Sequence, residues 1–135
     1  MYVQLWPWLH LASRIIFALL FFSSAWAHLT QTEMMAPYAA SKKVPAAALM
    51  VRLTGVMMLV GAVLLLLGWH RFTGSLLIAA FLFPTAFLMH NYWTITDPMA
   101  RAGDRAHFMK DLSLAGAALY FAATSGYPWP FSLGG

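Results

Sequence analysis

Long apolar runs separated by short polar stretches dominate this sequence. Four of them, residues 9–29, 45–68, 72–91 and 107–124, are almost entirely apolar. A helix needs about 20 mainly apolar residues to cross the hydrocarbon core of a bilayer. The pattern therefore predicts an all-α, polytopic membrane protein with four transmembrane helices. A transmembrane β-barrel would instead show short segments of alternating polarity.

The connections between the predicted spans are short. Residues 69–71 form a tight link, so the second and third helices must lie antiparallel as neighbours. Loops are predicted over residues 30–44 and 92–106. Pro84 lies inside the third span, where a proline frees a backbone carbonyl and kinks the helix. Residues 1–135 are thus expected to form a single domain, an antiparallel four-helix bundle.

The first span has a competing interpretation as a secretory signal peptide. Such a peptide carries positive charge ahead of a short apolar core. Here no charge precedes Arg14, and Trp6 and Trp8 are suited to anchor a helix at the membrane interface. We therefore expect residues 9–29 to be a true span.

Composition supports a membrane location and excludes several kinds of functional site. Hydrophobic residues make up 61% of the 135 residues and charged residues 9%, against about 25% charged residues in soluble domains. So few polar groups could not cover a soluble domain, and so few charges are not typical of a disordered chain. The lack of cysteine excludes disulfides, thiolate metal sites and a cysteine nucleophile. The net charge of +4 comes from scattered residues, so no nucleic-acid-binding face is expected.

The distribution of Lys and Arg predicts the orientation in the membrane. Cytoplasmic loops of membrane proteins collect these residues. Arg71 lies on the side of both termini, whereas five basic residues lie in or beside the two longer loops: Lys42, Lys43, Arg101, Arg105 and Lys110. We therefore expect loops 30–44 and 92–106 to be cytoplasmic and both termini to lie outside.

Two arginines lie inside predicted spans. Arg14 is about one and a half turns into the first span and Arg52 about two turns into the second. A charged residue at mid-helix costs roughly 2.5–3.5 kcal/mol on insertion scales. Each arginine either snorkels back to the head groups or faces the bundle and binds an acid, a carbonyl or a ligand oxygen. Both interpretations are open at this point.

The densest group of polar residues follows the third span and opens the fourth. His90 and Trp93 are three residues apart, and His107, Lys110 and Asp111 follow an i, i+3, i+4 pattern, so each set shares a helical face. Arg52 is expected at the same depth. The predicted ligand-binding residues are Arg52, His90, Trp93, His107 and Lys110, and the predicted structural polar residues are Arg14, Asp97 and Asp111.

Several chemistries fit this group of residues. A histidine beside a carboxylate can transfer protons or donate to a carbonyl, which suits the head group of a quinone. Two histidines on different helices could ligate a haem iron, but the five histidines give no strong pair at matched mid-membrane depth, so haem is disfavoured. His107 and Asp111 alone are too few ligands for a zinc site, so no metal is expected. The remaining interpretation is a group of polar side chains that bind one another and so fix the order of the helices at the lipid boundary.

The residues in and around the four spans resemble the DoxX family of small four-helix membrane proteins. The resemblance rests on Arg14 in the first span and on a series of short motifs in chain order: Arg52-Leu53-Thr54-Gly55, Phe83-Pro84-Thr85-Ala86, His90-Asn91-Tyr92-Trp93, Asp97-Pro98 and Phe108-Met109-Lys110-Asp111. It implies a four-helix bundle in the plasma membrane. The family is named from a subunit associated with quinone reduction during sulfur-compound oxidation.

Three functions are compatible with these expectations. The first is a redox-linked subunit that binds a quinone or quinol, with electrons supplied by a partner or a bound cofactor. The second is a non-catalytic accessory or scaffold subunit, which contacts lipid and a protein partner in a larger membrane complex or a homo-oligomer. The third, a small transporter, ranks last because four helices without a visible repeat suit alternating access poorly. Whether the chain is an enzyme stays open.

Overall fold

The computed structural model describes residues 2–134 of the chain. Helices dominate these residues, and none of them lies in a strand. The elements are, in chain order, α1 (Tyr2–Thr30), α2 (Thr32–Ser41), α3 (Ala47–Leu67), α4 (Arg71–Met89), a 3₁₀ turn (Tyr92–Thr94) and α5 (Pro98–Ala123). The predicted all-α class is confirmed.

The helices cover the four predicted spans. Three stretches of the described chain are long and apolar enough to cross a bilayer, namely Gln4–Thr30, Ala47–Leu67 and Arg71–Thr94. The fourth predicted span lies in the last two thirds of α5, which carries its charged residues in its first four turns. The chain is therefore a multi-pass membrane protein.

Two segments predicted as loops are largely helical. Residues 32–41 form α2, which packs against α1 and α3 and buries Thr32 and Ala39. The Thr32 hydroxyl donates to the carbonyl of His28 at 2.6 Å, which joins α2 to the end of α1.

The second such segment is residues 98–106, which form the first turns of α5, so this helix begins at Pro98. Asp97 is the N-cap, its Oδ2 accepts the N–H of Ala100 at 2.8 Å, and Pro98 occupies the first turn. Hydropathy does not predict either segment, because neither contains the long apolar run that marks a membrane span.

The four long helices form the predicted antiparallel bundle. α1 packs on α3, α3 on α4, and α4 on α5. The rings of Phe17 and Phe121, 5.2 Å apart edge to face, join α1 to α5. The link between α3 and α4 is as tight as expected, because Gly68 and His70 both adopt left-handed backbone conformations, with φ of 65° and 45°.

A hydrogen-bonded histidine joins α1 to α3 inside the bundle. His28 Nδ1 lies 3.1 Å from the carbonyl oxygen of Val51 and 3.0 Å from Oγ1 of Thr54. The approach is close because Gly55 faces α1: a Cβ there would lie 2.9 Å from Cβ of His28. In a bilayer, such interhelical hydrogen bonds and close packing contribute more to helix association than the hydrophobic effect does, since lipid is as apolar as the core.

Small residues also hold α3 against α4. Gly74 faces α3. A Cβ added at Gly74 would lie 2.8 Å from Cβ of Leu64 and 3.2 Å from the carbonyl oxygen of Gly61. Both distances are shorter than ordinary van der Waals contact, and neither neighbour is the free end of a flexible side chain. Close approach of these two helices therefore requires glycine at position 74.

We predict that Gly74→Ala lowers the free energy of unfolding by about 1–3 kcal/mol, the usual cost of overpacking. Gly116→Ala is the matched control, because nothing lies within 4 Å of a Cβ at that helical position. It should be neutral or stabilise the protein by up to about 1 kcal/mol through helix propensity. Unfolding by dodecyl sulfate in mixed micelles, followed by circular dichroism, measures both. Equal effects of the two substitutions would contradict the assigned α3–α4 contact.

Candidate functional site

Polar groups of the bundle gather at its two ends. All four acidic residues lie at one end, which we call the acidic end: Glu33, Asp97, Asp104 and Asp111. The opposite end, which we call the terminal end, comprises the first half of α1, the link at residues 68–71 and the segment 124–134. The two ends are built differently and are described in turn.

His90 is the centre of the acidic end. It follows the last residue of α4, and its ring points at α5. Its Nδ1 lies 2.9 Å from Oδ1 of Asp104, within hydrogen-bond distance, and its Nε2 lies 3.7 Å from Oδ2 of Asp111. The two carboxylates are seven residues apart on α5 and therefore project from the same face, two turns apart. One imidazole thus faces two carboxylates.

Two further side chains complete this group. The His107 ring stacks on that of His90, with centroids 5.1 Å apart and planes 21° from parallel. Lys110 Nζ lies 3.4 Å from Oδ1 of Asp111, and the lysine side chain is 47% exposed. We call His90, Asp104, His107, Lys110 and Asp111 the His–Asp cluster.

The His–Asp cluster keeps unused hydrogen-bonding capacity. Oδ2 of Asp104 and Oδ2 of Asp111 are both buried and have no hydrogen-bond partner among the described residues. A buried polar atom without a partner is costly, so such atoms are uncommon in folded proteins. Here two of them belong to carboxylates that flank the same imidazole. The arrangement can accept a proton or a hydrogen bond from a bound group.

Aromatic rings lie next to the cluster. Trp93, in the 3₁₀ turn, packs edge to face on Phe108, with centroids 5.7 Å apart, and Phe108 directly follows His107. The Trp93 side chain is 49% exposed and Phe87 beside it is 52% exposed. This group offers flat apolar surface at the rim of the bundle.

The structure does not bring Arg52 to the cluster, contrary to the sequence-based expectation. Its side chain is exposed and lines a separate groove of about 340 Å³ at the α1–α2 junction, beside Glu33. The sequence predicts how deep Arg52 lies in the membrane, but it does not predict in which direction its side chain points around α3. Val51, the preceding residue, faces the core, and Arg52 therefore faces outward.

Sequence reasoning placed Asp104 in a loop and did not include it in the site. The signal was its spacing: three residues before His107 and seven before Asp111, on one helical face. That signal becomes visible only when α5 is extended to begin at Pro98. Lys42 adds a connection from α2, because its Nζ donates to Oδ1 of Asn91 at 2.6 Å.

The terminal end is organised around two buried arginines. Arg14 is 0% exposed, and its Nη2 donates to the carbonyl oxygens of Pro130 at 2.7 Å and Phe131 at 3.2 Å. Arg71 is 9% exposed, and its Nη1 donates to the carbonyl oxygen of Tyr127 at 2.9 Å. Arg14 therefore faces the protein and does not snorkel. The chain after α5 folds back over the bundle to supply these carbonyls.

Trp129 packs against both arginines and against His10 of α1. The guanidinium carbons of Arg14 and Arg71 lie 5.7 and 5.4 Å from its ring centroid, within the range of cation–π contacts. The His10 ring meets it edge to face at 4.8 Å. The indole is buried, so the returning segment is an integral part of the fold.

The comparison with protein families decides the affiliation. The DoxX family model matches residues 9–91, more than half of the chain. The chain belongs to the DoxX family. The region matched within this DoxX protein contains Arg14, Arg52 and His90, whereas the α5 members of the His–Asp cluster lie beyond it. No curated protein and no solved structure matches the chain.

We predict that Arg14→Leu lowers the free energy of unfolding by about 1.5–3 kcal/mol, the usual contribution of hydrogen bonds to a charged group. The substitution removes the contacts of Arg14 to Pro130 and Phe131, so the returning segment should loosen. Arg52→Leu, at an exposed arginine, is the control and should stay within about 0.5 kcal/mol. Detergent-titrated unfolding measures both. A more stable Arg14→Leu variant would mean that desolvation of the arginine outweighs its contacts.

Proposed function

We propose that this DoxX-family membrane protein binds the head group of a quinone or quinol at the acidic end. In this proposal His90 exchanges protons between the bound ring oxygen and the flanking carboxylates. The observation that supports it is the placement of one imidazole between Asp104 and Asp111, each with a buried oxygen that has no hydrogen-bond partner among residues 2–134. Histidine is the side chain best suited to take up and release protons near neutral pH.

The chemistry of a quinone matches the groups available. Reduction of a quinone takes two electrons and two protons, and its ring oxygens accept hydrogen bonds before the reaction and donate them afterwards. His107 and Lys110 can donate to a quinone oxygen, and the unpartnered carboxylate oxygens can accept from a quinol hydroxyl. The cluster supplies protons only, so electrons come from a protein partner or a cofactor bound to it.

The surroundings suit the rest of such a ligand. Trp93 and Phe87 are half-exposed and lie edge to face or tilted against their aromatic neighbours, so a planar head group can pack beside them. Met109, the residue before Lys110, is 52% exposed on the outer face of α5. An isoprenoid tail can therefore follow the apolar outside of α4 and α5 into the lipid.

The orientation follows from charge and is part of the same proposal. The acidic end also holds most of the basic residues: Lys42, Lys43, Arg52, Arg101, Arg105 and Lys110. Only Arg14 and Arg71 lie at the terminal end, and both are buried. By the positive-inside rule the acidic end faces the cytoplasm and both termini face outward, in the plasma membrane.

One observation favours a second function, a non-catalytic accessory subunit. Much of the His–Asp cluster is internally paired, since His90 contacts Asp104 and Lys110 contacts Asp111. A cluster of this kind can serve to lock α4 against α5 and leave the protein to act through a partner in a membrane complex or through its own copies. The two functions differ in what stays bound to the purified protein.

The test is retention of quinone by the protein purified in mild detergent, measured by extraction and mass spectrometry. Decylubiquinone and a naphthoquinone, added separately, serve as defined probes. We expect His90→Phe to reduce retention by about tenfold or more, because it removes a hydrogen-bonding ring from the site. The matched control is His70→Phe, an exposed histidine at the terminal end, which should retain quinone normally.

The outcomes separate the two functions. Loss of quinone from His90→Phe with unchanged circular dichroism supports the binding site. Equal retention in wild-type protein and both variants would place the quinone elsewhere and overturn the site. A stoichiometric protein partner with no bound quinone would support the accessory role instead.

A further inference from the structure

Among residues 2–134, the terminal end holds two buried positive charges and no acidic side chain. Arg14 is 0% exposed and Arg71 is 9% exposed, and all four acidic residues lie at the opposite end. Their partners among the described residues are backbone carbonyls and the ring of Trp129. Carbonyl dipoles offset part of the desolvation cost of a guanidinium but do not neutralise its charge. A buried charge of about +2 is therefore left without a counter-ion on the described part of the chain.

Donor atoms in this region are also unused. Nε and Nη1 of Arg14 are buried and have no hydrogen-bond partner among residues 2–134. A guanidinium has five N–H donors, and buried donors are normally satisfied. The region is thus short of acceptors.

A cavity of about 280 Å³ adjoins the arginines. Its walls are His70, Arg71, Phe72, Thr73, Ser125 and Gly134. The first turn of α4 contributes three of these residues, and that helix has neither a side-chain cap nor an acid in its first turn. Its free N–H groups and its dipole favour an anion at this position.

Gly68 lies between the cavity and Arg14. A Cβ at Gly68 would lie 2.7 Å from Nη1 of Arg14, and a Cβ at Gly134, in the cavity wall, would lie 3.3 Å from the carbonyl oxygen of Gly68. The backbone of Gly68 therefore separates Arg14 from the cavity, so the charge of Arg14 acts on a bound anion without direct contact. Arg71 lines it directly.

We propose that this pocket at the terminal end binds a phosphate group. A phosphate monoester carries a charge of about −1.5 to −2 at neutral pH, which matches the uncompensated arginine pair. Guanidinium groups donate in a planar fork that fits phosphate oxygens, and the hydroxyls of Thr73 and Ser125 supply further donors. The source is dissolved inorganic phosphate or the monoester head group of phosphatidic acid, both of which present the same chemistry.

The experiment uses the full chain in two kinds of nanodisc. In discs of phosphatidylcholine alone, inorganic phosphate is titrated and binding is followed by calorimetry. In discs that also contain phosphatidic acid, the lipid that remains with the protein after detergent extraction is quantified by mass spectrometry. We expect binding in at least one arm, and about tenfold weaker binding for Arg71→Gln, which removes one charged donor.

Matched variants isolate the pocket. Arg52→Gln removes an exposed arginine at the acidic end and should bind as the wild type does. Thr73→Val removes one hydroxyl at nearly constant volume and should weaken binding, and it provides a second variant if Arg71→Gln fails to fold. Binding from solution identifies dissolved phosphate as the ligand, and enrichment of phosphatidic acid alone identifies the lipid.

Two outcomes would overturn the proposal. If wild-type protein neither binds phosphate nor enriches phosphatidic acid over phosphatidylcholine, the cavity beside Arg71 is not a phosphate site. If binding is present but equal in wild type, Arg71→Gln and Thr73→Val, or falls as much in Arg52→Gln as in Arg71→Gln, the phosphate does not occupy this pocket.

Discussion

The fold depends on one constraint: inside a bilayer every polar group must find its partner within the protein, because the hydrocarbon offers none. The backbone meets this constraint by forming helices. The side chains meet it by gathering at the two ends of the bundle, with an apolar middle of alanines, phenylalanines and aliphatic residues between them. Helix order is then fixed by a few polar contacts and by small residues that let helices approach, such as Gly74 between α3 and α4.

The two ends meet the constraint in different ways, and each leaves some buried polar atoms without a partner among residues 2–134. At the acidic end, the imidazole of His90, which follows α4, contacts the carboxylates of Asp104 and Asp111 on α5. At the terminal end, two arginines bind carbonyls of the segment that returns after α5, and Trp129 covers both guanidiniums. The first arrangement is suited to proton exchange and the second to holding an anion. Their separation along the bundle axis keeps the carboxylates away from any anion at the arginines.

Much of the fold could be predicted from sequence, because hydropathy reports directly on membrane spans. The lengths of the apolar runs, the tight link after Gly68 and the DoxX affiliation all agree with the structure and the family comparison. Helical segments outside the apolar runs could not be found in this way. Residues 32–41 and 98–106 contain no long apolar run, although Asp97-Pro98 is an ordinary helix start.

The candidate site was only partly predictable for a related reason. Spacing along one helix identified His107, Lys110 and Asp111. Spacing does not show which way a residue on another helix points, so it did not predict that Arg52 lies in a separate groove. The carbonyl partners of Arg14 come from residues 130 and 131, more than a hundred positions away. No local pattern in the sequence reports such a contact.

The proposed role of His90 is to exchange protons with a bound quinone or quinol. Solid-state ¹⁵N NMR of ring-labelled histidines, with the protein in bilayers, observes both nitrogens of each ring directly. The His90 signals are assigned by their loss in a variant without that ring, and those of His70 serve as an internal reference. If His90 exchanges protons with the ligand, addition of decylubiquinol changes the chemical shifts of the His90 nitrogens and leaves those of His70 unchanged. Unchanged His90 signals at saturating quinol would contradict it.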